Sequence, residues 1–339
     1  MELPNVLTVE LTYRCNHKCL FCSCPWEDQP KLKETELSTT DWENIFDVVK
    51  SYGVNQITFS GGEAILRDDL IDLISYARES GFTVGLISNG KNITREFLLQ
   101  IQPYDVLLSI SVPGIDTFMQ TTGVDNIENV LALFDLCKEL KIKTVANIAV
   151  TKKNISELYE NIALPILHGA TYVLLNRFLP GGRGLQNKQY LLSVDEINKM
   201  LDTAEEVLSR AGIYGHVGTE LPYCIIKNHD KYHYLQISSF CAAAKAFFVI
   251  DPSGYIKTCN HSPHRVCKWT DIDTLEKNEY WNKFVNRDYI PNMCKGCEYL
   301  NIQCDGGCRE AAHVYFGNIE DKDPCFDMAE KFYNERFKH

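Results

Sequence analysis

The chain has 339 residues, a net charge of −11 and a hydrophobic content of 45%. This length predicts two domains, and the acidic balance disfavours nucleic-acid binding, which depends on basic surface to displace counterions. No apolar run approaches the ~18–20 residues of a membrane span, and the first residues lack the basic and apolar regions of a signal peptide. We therefore expect a cytoplasmic protein that acts away from membranes.

Short apolar runs alternate with amphipathic stretches up to about residue 210, which predicts strand–helix units and a parallel sheet. The predicted strands are residues 6–11, 56–60, 83–87, 106–111, 144–150 and 172–177. The predicted helices lie near residues 40–52, 69–80, 94–102, 127–140, 155–168 and 194–211. Six units are too few for an eight-fold barrel, and the alternation alone fits a partial barrel or a doubly wound sheet.

Three cysteines, Cys15, Cys19 and Cys22, follow the first predicted strand at a CxxxCxxC spacing. Three thiolates on one tight loop suit three irons of a [4Fe–4S] cube, which leaves the fourth iron open to another ligand. A structural zinc site more often has paired CxxC units and a closed shell of four ligands. The spacing therefore favours an iron–sulfur cluster, with zinc or unrelated buried cysteines as the alternatives.

The segment Gly61-Gly62-Glu63 follows the second predicted strand. Parallel barrels place their chemistry at the carboxyl ends of strands. Two glycines allow the backbone to approach a ligand closely, and the glutamate offers a carboxylate that accepts a hydrogen bond from an ammonium group. The segment is therefore a candidate ligand site, and a plain turn is the alternative.

Nine of the fourteen cysteines lie from Cys224 onward, where the strand–helix alternation has stopped. A reducing compartment disfavours disulfides, so this crowding predicts a second metal region. Within it, residues 247–259 have the pattern of a β-hairpin with a Pro-Ser-Gly turn. CxxC pairs and hairpins are also typical of zinc ribbons, which remain the alternative.

The cysteine loop, with Phe21 directly before its third cysteine, resembles the signature of radical SAM enzymes, and Gly61-Gly62-Glu63 resembles their GGE motif. The resemblance implies an α/β fold, an open partial (β/α)6 TIM-like barrel with the cluster loop after strand one. It also implies a reaction, in which one electron passes through the cluster to S-adenosylmethionine at the open iron. The resulting 5′-deoxyadenosyl radical abstracts hydrogen from a substrate. Phe21 is expected beside the adenine and Glu63 at the amino group of the cofactor.

The same resemblance implies further cofactor contacts at the other strand ends. These candidates are Ser88, Asn89, Ser109, Ser111, Asn147 and Arg177. The serines of the fourth strand correspond to ribose contacts, although Pro113 stands where many relatives have an acidic residue. Each candidate has a structural role as its alternative. Arg183, in a turn-rich segment after the sixth strand, is a further cofactor or substrate candidate.

Seven C-terminal cysteines resemble the SPASM extension of radical SAM enzymes, apart from six residues between Cys297 and Cys304 where five is usual. The resemblance implies a radical SAM core over residues 1–213, a cysteine-rich α+β SPASM domain over residues 214–339, and two auxiliary [4Fe–4S] clusters. The outer cluster is expected on Cys294, Cys297, Cys304 and Cys325, and the inner one on Cys241, Cys259 and Cys308. The inner set is one ligand short. Either its fourth iron is open to a substrate thiolate, or Cys224 or Cys267 completes the shell.

Enzymes of this kind mostly modify peptides or proteins, so we expect a post-translational modification such as a crosslink, an epimerisation or an oxidation. The alternatives are a small-molecule (tetrapyrrole-type) or sulfatase-maturating radical SAM enzyme, or a non-catalytic iron–sulfur electron carrier. A flavodoxin or ferredoxin-type reductant is the expected electron donor. The chain begins almost at its first predicted strand, so peptide recognition is expected from a separate leader-recognition protein or from the SPASM surface. Asp251 and Asp305 are candidate general bases.

Overall fold

The structure, a computed structural model, describes residues 2–24 and 36–327. One sheet of eleven strands runs through this part of the chain, in the spatial order β11-β10-β9-β1-β2-β3-β4-β5-β6-β7-β8. The strands are β1 Val6–Glu10, β2 Gln56–Ser60, β3 Thr83–Ser88, β4 Leu107–Ser111, β5 Thr144–Val150, β6 Tyr172–Arg177, β7 Gly215–Val217, β8 Leu235–Ile237, β9 Phe247–Ile250, β10 Tyr255–Lys257 and β11 Cys267–Lys268. Neighbouring strands from β1 to β8 are all parallel.

Helices connect these strands and cover the sheet. They are α1 Thr39–Ser51, α2 Leu70–Glu79, α3 Arg95–Ile101, α4 Phe118–Thr122, α5 Ile127–Glu139, α6 Leu158–Leu167, α7 Val194–Ala211, α8 Glu279–Asn286 and α9 Arg309–Phe316. The six predicted strands and six predicted helices are confirmed to within one residue at each end, except that a short 3-10 turn, Ile155–Glu157, precedes α6. None of the helices in the described ranges has the length and apolar character needed to cross a bilayer.

The parallel strands have an apolar face and a polar face, because successive side chains of a strand point to opposite sides. Apolar side chains pack against the helices, as Phe59 of β2 does against Phe46 of α1, with ring centroids 6.0 Å apart. The opposite face carries polar side chains near the strand ends, including Ser60, Ser111 and Asn147, which line a cavity. The fold is thus a partial barrel with an apolar outer layer and a polar interior.

Two strands that the sequence did not predict extend the parallel sheet past residue 214. β7 pairs with β6, and β8 pairs with β7. Each has three residues, too short to give the apolar pattern on which strand prediction depends. The predicted hairpin is confirmed as β9 and β10, and β9 joins the same sheet in parallel beside β1, with Val6 opposite Phe247. The two predicted domains therefore share one sheet.

A buried ion pair ties the hairpin to the first strand. Lys257 of β10 is fully buried, and its Nζ donates to Oε2 of Glu10 in β1 at 2.8 Å. Asn260 donates to the other carboxylate oxygen at 3.2 Å. Burial raises the pKa of Glu10, and the charge of Lys257 acts in the opposite direction. Because removing one partner leaves a buried charge uncompensated, this contact is expected to hold the hairpin firmly against the barrel.

We predict that Lys257→Met destabilises the protein by roughly 3–5 kcal/mol, the usual cost of leaving one charge of a buried pair without its partner. The measurement is the thermal unfolding midpoint of anaerobically purified protein. The double variant Lys257→Met/Glu10→Gln is the control, because it removes both charges and should recover part of the loss. A single variant that unfolds like the unmodified protein would contradict the role of this pair.

Candidate active site

The Gly61-Gly62-Glu63 segment packs directly against the backbone of the cysteine loop. The Gly62 N–H donates to Thr12 O at 2.7 Å, and the Glu63 N–H donates to Arg14 O at 2.8 Å. A Cβ on Gly62 would lie 2.2 Å from Arg14 O, and one on Gly61, whose φ is +129°, would lie 2.6 Å from Thr12 O. The glycines are therefore required for close packing of two protein segments, a role that the sequence analysis did not predict.

Helix α4 also holds the cysteine loop. Lys18 and Leu20 donate their backbone N–H groups to Thr122 and Thr121 of α4, both at 2.8 Å. These bonds pair the loop with a helix terminus, although the loop has no regular secondary structure of its own. The position of the cysteines is thus fixed by main-chain hydrogen bonds, which the side-chain pattern of the sequence does not predict.

The third support is the turn-rich segment after β6. Gly184 donates its N–H to Cys22 O at 3.1 Å, and Arg183 Nη1 donates to Cys19 O at 3.0 Å. The Arg183 charge also favours the thiolate forms of Cys15, Cys19 and Cys22. The sequence analysis predicted a cofactor or substrate contact for Arg183, and the structure gives it contacts with the cysteine loop.

The three loop thiols lie close enough to influence each other's protonation. Burial, together with the charge of a neighbouring cysteine, raises the pKa of Cys19 and of Cys22 to about 12. Across residues 2–24 and 36–327, no three His, Cys, Asp or Glu side chains converge where a single metal ion would bind. A [4Fe–4S] cluster attaches its cysteines to different irons. Three thiols on one loop beside a guanidinium have the donor chemistry that such a cluster requires.

Glu63 is buried and held in one orientation by its neighbours. Its carboxylate accepts hydrogen bonds from Ser88 Oγ and from the Asn89 N–H, both at 2.8 Å, and from the Ile65 N–H at 3.5 Å. Asn89 Nδ2 in turn donates to Asn16 Oδ1 of the cysteine loop at 2.7 Å. Burial raises the pKa of Glu63. The structure therefore brings the predicted residues Glu63, Ser88 and Asn89 together as one cluster beside the cysteine loop.

A cavity of about 420 Å³ lies between the cysteine loop and the C-terminal region. Phe21 and Cys22 line one side of it, and Cys241, Cys259 and Cys308 line another. Its volume falls in the range of small-molecule sites, which is roughly 300–1,000 Å³. Two groups of cysteines that lie more than 200 residues apart in the sequence therefore face the same space.

The predicted cofactor residues on the remaining strands are placed differently from one another. Ser111 and Asn147 line the cavity, and Asn147 Oδ1 accepts a hydrogen bond from Asn176 at 2.9 Å. The Ser109 hydroxyl is buried and has no hydrogen-bond partner in the described part of the chain. Arg177 lines the cavity, but its guanidinium is engaged elsewhere.

The guanidinium of Arg177 forms a buried, two-pronged contact with Asp323. Its Nη1 and Nη2 donate to the two carboxylate oxygens at 2.8 and 2.6 Å, and Nη2 also donates to Glu220 O at 2.6 Å. Asp323 further accepts the N–H groups of Cys308 and Cys325, at 2.8 and 3.0 Å. The Arg177 guanidinium thus links the barrel to two C-terminal cysteines through Asp323.

The inner cysteines form a compact buried group. Cys241, Cys259 and Cys308 are each less than a tenth exposed, and burial raises the pKa of each well above the ordinary value. The thiolate charge of Cys308 raises the pKa of the other two further. Asp305 accepts the Cys241 N–H at 2.7 Å, so this predicted general base acts here as a support for a cysteine. The other predicted base, Asp251, pairs with Arg265 at 2.7 Å.

The outer cysteines surround a second, smaller cavity of about 20 Å³, lined by Cys294, Cys297 and Cys304. Cys224 lines the same cavity, and its thiolate charge raises the pKa of the fully buried Cys325. Cys224 is therefore placed with the outer group. Cys267 lies on β11, where it pairs with Ile256. Neither of the two cysteines suggested as a fourth inner ligand lies in the lining of the larger cavity.

Three glutamates that the sequence analysis missed also line the larger cavity: Glu10, Glu220 and Glu310. Glu10 is paired with Lys257, as described above. Glu310 accepts hydrogen bonds from Thr258 at 2.5 Å and from Tyr280 at 2.9 Å. Glu220 follows the short strand β7, so a correct prediction of that strand is the signal that would have placed it at the site.

Comparisons with known proteins agree with this geometry. Residues 9–164 match the family described as the Radical SAM superfamily. A protein named PqqA peptide cyclase from Bradyrhizobium diazoefficiens is 25% identical over 340 residues, which cover 95% of this chain and 86% of that protein. One of the same name from Granulibacter bethesdensis is 27% identical over 345 residues, covering 96% and 87%.

Among solved structures, SuiB of Streptococcus suis has a similar fold. Bound to its precursor peptide SuiA, it superposes with a TM-score of 0.71 at 15% identity, over 96% of this chain and 76% of SuiB. Bound to S-adenosylmethionine, it gives a TM-score of 0.73 at 16% identity, over 96% and 77%. At this identity the likeness shows the fold.

The partial barrel, the three-cysteine loop and the family match together define a radical SAM enzyme. Residues 9–164 match the Radical SAM superfamily and form its radical SAM domain. A [4Fe–4S] cluster and S-adenosylmethionine follow as its cofactors. The cysteine-rich region that continues the sheet is consistent with a SPASM extension.

We predict that Gly62→Ala displaces the cysteine loop, because the new Cβ would lie 2.2 Å from Arg14 O. The expected result is a loss of most of the iron bound at this loop, measured as iron per chain after anaerobic reconstitution. Gly85→Ala is the matched control, because its Cβ would lie no nearer than 3.4 Å to Thr58 Oγ1. Equal iron content in the two variants would contradict the packing role of Gly62.

Proposed function

We propose that this protein is a radical SAM/SPASM enzyme that modifies a peptide, and that the substrate is bound in the cavity between the two cysteine regions. The observation that carries the proposal is the shared lining of that cavity. Phe21 and Cys22 contribute from the barrel loop, and Cys241, Cys259 and Cys308 contribute from the C-terminal region. A radical formed at the loop would then be released into a space that the inner cysteines also face.

The proposal assigns the ten predicted ligands to three [4Fe–4S] clusters. Cys15, Cys19 and Cys22 hold the cluster that binds S-adenosylmethionine. The outer auxiliary cluster is assigned to Cys294, Cys297, Cys304 and Cys325, and the inner one to Cys241, Cys259 and Cys308. The support is geometric: Cys294, Cys297 and Cys304 line the smaller cavity, Cys241, Cys259 and Cys308 line the larger one, and the first three ligands share one loop. The proposal also keeps the division into two domains near residue 214, with the radical SAM core before it and the SPASM domain after it.

When bound, the loop cluster supplies one electron to S-adenosylmethionine, which splits into methionine and a 5′-deoxyadenosyl radical that takes a hydrogen atom from the substrate. The residues of the chain orient the reactants. Glu63 accepts three hydrogen bonds from protein donors, and an ionised carboxylate has about four acceptor sites, so one remains for the cofactor ammonium. Phe21 offers an aromatic face for the adenine, and Ser111 and Asn147 offer polar contacts for the nucleoside.

A peptide substrate is supported by the relatives, two of which are named PqqA peptide cyclase, and by SuiB, which was solved with a precursor peptide. Each turnover that begins with reductive cleavage consumes an electron, so we include a flavodoxin or ferredoxin-type reductant as a partner. A separate leader-recognition protein is a further proposed partner. Fourteen cysteines need a reducing compartment to remain thiols, which supports a cytoplasmic location.

We predict that anaerobically reconstituted protein holds about twelve irons per chain, since each of three clusters contains four. Simultaneous replacement of Cys15, Cys19 and Cys22 by alanine should remove about a third of this iron. Replacement of Cys137, a buried helix residue outside both cysteine regions, is the control and should leave the iron unchanged. Zinc in place of iron at the C-terminal cysteines would contradict the SPASM assignment.

A second prediction concerns cofactor binding at Glu63. Glu63→Gln keeps the size of the side chain but removes its charge, so affinity for S-adenosylmethionine should fall by roughly 1.5–3 kcal/mol, the value of a hydrogen bond to a charged group. Anaerobic calorimetry measures the affinity, and release of 5′-deoxyadenosine under a strong reductant measures cleavage. Asp69→Asn, which removes a carboxylate engaged with Arg67, is the control and should bind normally. Unchanged affinity in Glu63→Gln would remove Glu63 from the cofactor site.

A further inference from the structure

The inner cysteine group offers three thiolates, whereas every iron of a [4Fe–4S] cluster needs a ligand from the protein or from a bound molecule. Cys224 and Cys267, the thiols considered for the fourth position, lie at the outer cavity and on β11. The larger cavity nevertheless contains other groups that bind metals. Among the side chains that line it with Cys241, Cys259 and Cys308 are the carboxylates of Glu220 and Glu310.

Glu310 is already occupied by other donors. Thr258 donates to one of its oxygens at 2.5 Å, and Tyr280 donates to the other at 2.9 Å. His313 Nδ1 lies 3.2 Å from the second oxygen. A carboxylate with this many protein partners is accounted for by the fold, and binding iron would require it to give up hydrogen bonds in a buried place.

Glu220 is different. It is about nine-tenths buried, and in the described ranges its carboxylate accepts one hydrogen bond from another residue, the Ala242 N–H at 2.9 Å. Ala242 directly follows Cys241, so this bond holds the carboxylate beside an inner cysteine. Glu220 also lines the larger cavity together with Cys241, Cys259 and Cys308. The carboxylate therefore borders the space that the three inner cysteines share.

The backbone around Glu220 is firmly fixed. It follows β7, the strand that the sequence did not reveal, and the Gly218 N–H donates to Leu175 O of β6 at 2.9 Å. Arg177 donates to the main-chain oxygen of Glu220 at 2.6 Å. The Arg177 guanidinium is already paired with Asp323, so its terminal nitrogens do not donate to the Glu220 carboxylate. An ionised carboxylate in a buried place is costly without a compensating cation, and cluster iron at this place would supply one.

We propose that the carboxylate of Glu220 is the fourth ligand of the inner auxiliary cluster, which makes this cluster a three-cysteine, one-glutamate site. The inference rests on the proposed function, because it requires a cluster on Cys241, Cys259 and Cys308. It ties the segment that follows β7 of the shared sheet directly to the C-terminal cluster.

The first test detects the ligand without any substitution at Glu220. The full chain with Cys15, Cys19 and Cys22 replaced by alanine is labelled with ¹³C at glutamate carboxyl groups, reconstituted and reduced. Pulsed electron–nuclear double resonance should show a strong ¹³C hyperfine coupling from a ligated carboxylate, and Glu220→Gln in this background should abolish it. A reduced inner cluster with no strong coupling would overturn the proposal, whatever the behaviour of the variant.

The second test asks whether the fourth iron is closed. In the same background, added 2-mercaptoethanol should leave the electron paramagnetic resonance signal of the inner cluster unchanged, and Glu220→Gln should make the signal shift with the thiol. Glu310→Gln is the matched control and should stay insensitive, because Glu310 is assigned no iron. A signal that shifts with thiol before Glu220 is altered would show an open iron and overturn the proposal.

Iron content separates this inference from the function on which it rests. The background protein should hold about eight irons per chain in its two auxiliary clusters. Eight irons without a carboxylate coupling would overturn the Glu220 assignment and leave the proposed function in place. Zinc, or no metal, at the C-terminal cysteines would overturn both.

Discussion

The pairing of β9 with β1 is the constraint on which the site depends. The two strands run in parallel, with Val6 opposite Phe247 and Val9 opposite Ile250, although about 240 residues of chain separate them. β1 leads into the cysteine loop, and the hairpin that begins with β9 is flanked by Cys241 and Cys259. A main-chain ladder therefore makes the two cysteine regions immediate neighbours. The buried contact between Lys257 and Glu10 strengthens the same junction between β1 and the hairpin.

Near the junction of β1 and β9, buried polar groups hold the cysteines in place. Asp305 and Asp323 accept backbone N–H groups of Cys241, Cys308 and Cys325 at 2.7–3.0 Å. Burial alone raises the pKa of Asp323, but the Arg177 charge and the hydrogen bonds that Asp323 accepts bring it below the ordinary value. A buried carboxylate is costly unless it is paired, and both oxygens of Asp323 are paired with Arg177. Asp323 thereby holds the main chain at Cys308 and Cys325.

Much of the barrel could be predicted from the sequence, because its helices and its first six strands have clear apolar periodicity. The loop of Cys15, Cys19 and Cys22 could also be predicted from its spacing, whereas the two C-terminal groups were expected only from a resemblance to the SPASM extension. β7 and β8 could not, because three residues carry no periodic signal. The position of Glu220 depends on β7, and Glu220 was missed for that reason. Cys224 was named as a candidate inner ligand, but it lies at the outer cavity.

Arg177 shows a second limit of the sequence. It was predicted as a cofactor contact, and its guanidinium is suited to a carboxylate, but the carboxylate that it contacts in the structure is Asp323, 146 residues further along the chain. Gly62 is a similar case. Its lack of a side chain allows close packing against Arg14 O of the cysteine loop, whereas the sequence analysis expected a close approach to a ligand. Residue type gives the kind of interaction, whereas the partner is set by tertiary contacts that span the whole chain.

The central claim is that one cavity joins a cluster on the barrel loop to a cluster on the C-terminal cysteines. Anomalous scattering at the iron absorption edge, from anaerobic crystals of the reconstituted enzyme with S-adenosylmethionine, tests it most directly. The account predicts iron beside Cys22 and iron beside Cys259, with the cofactor adenosine in the cavity between them. Iron at the loop alone, or a cofactor bound outside the space that Phe21 and Cys259 share, would contradict it.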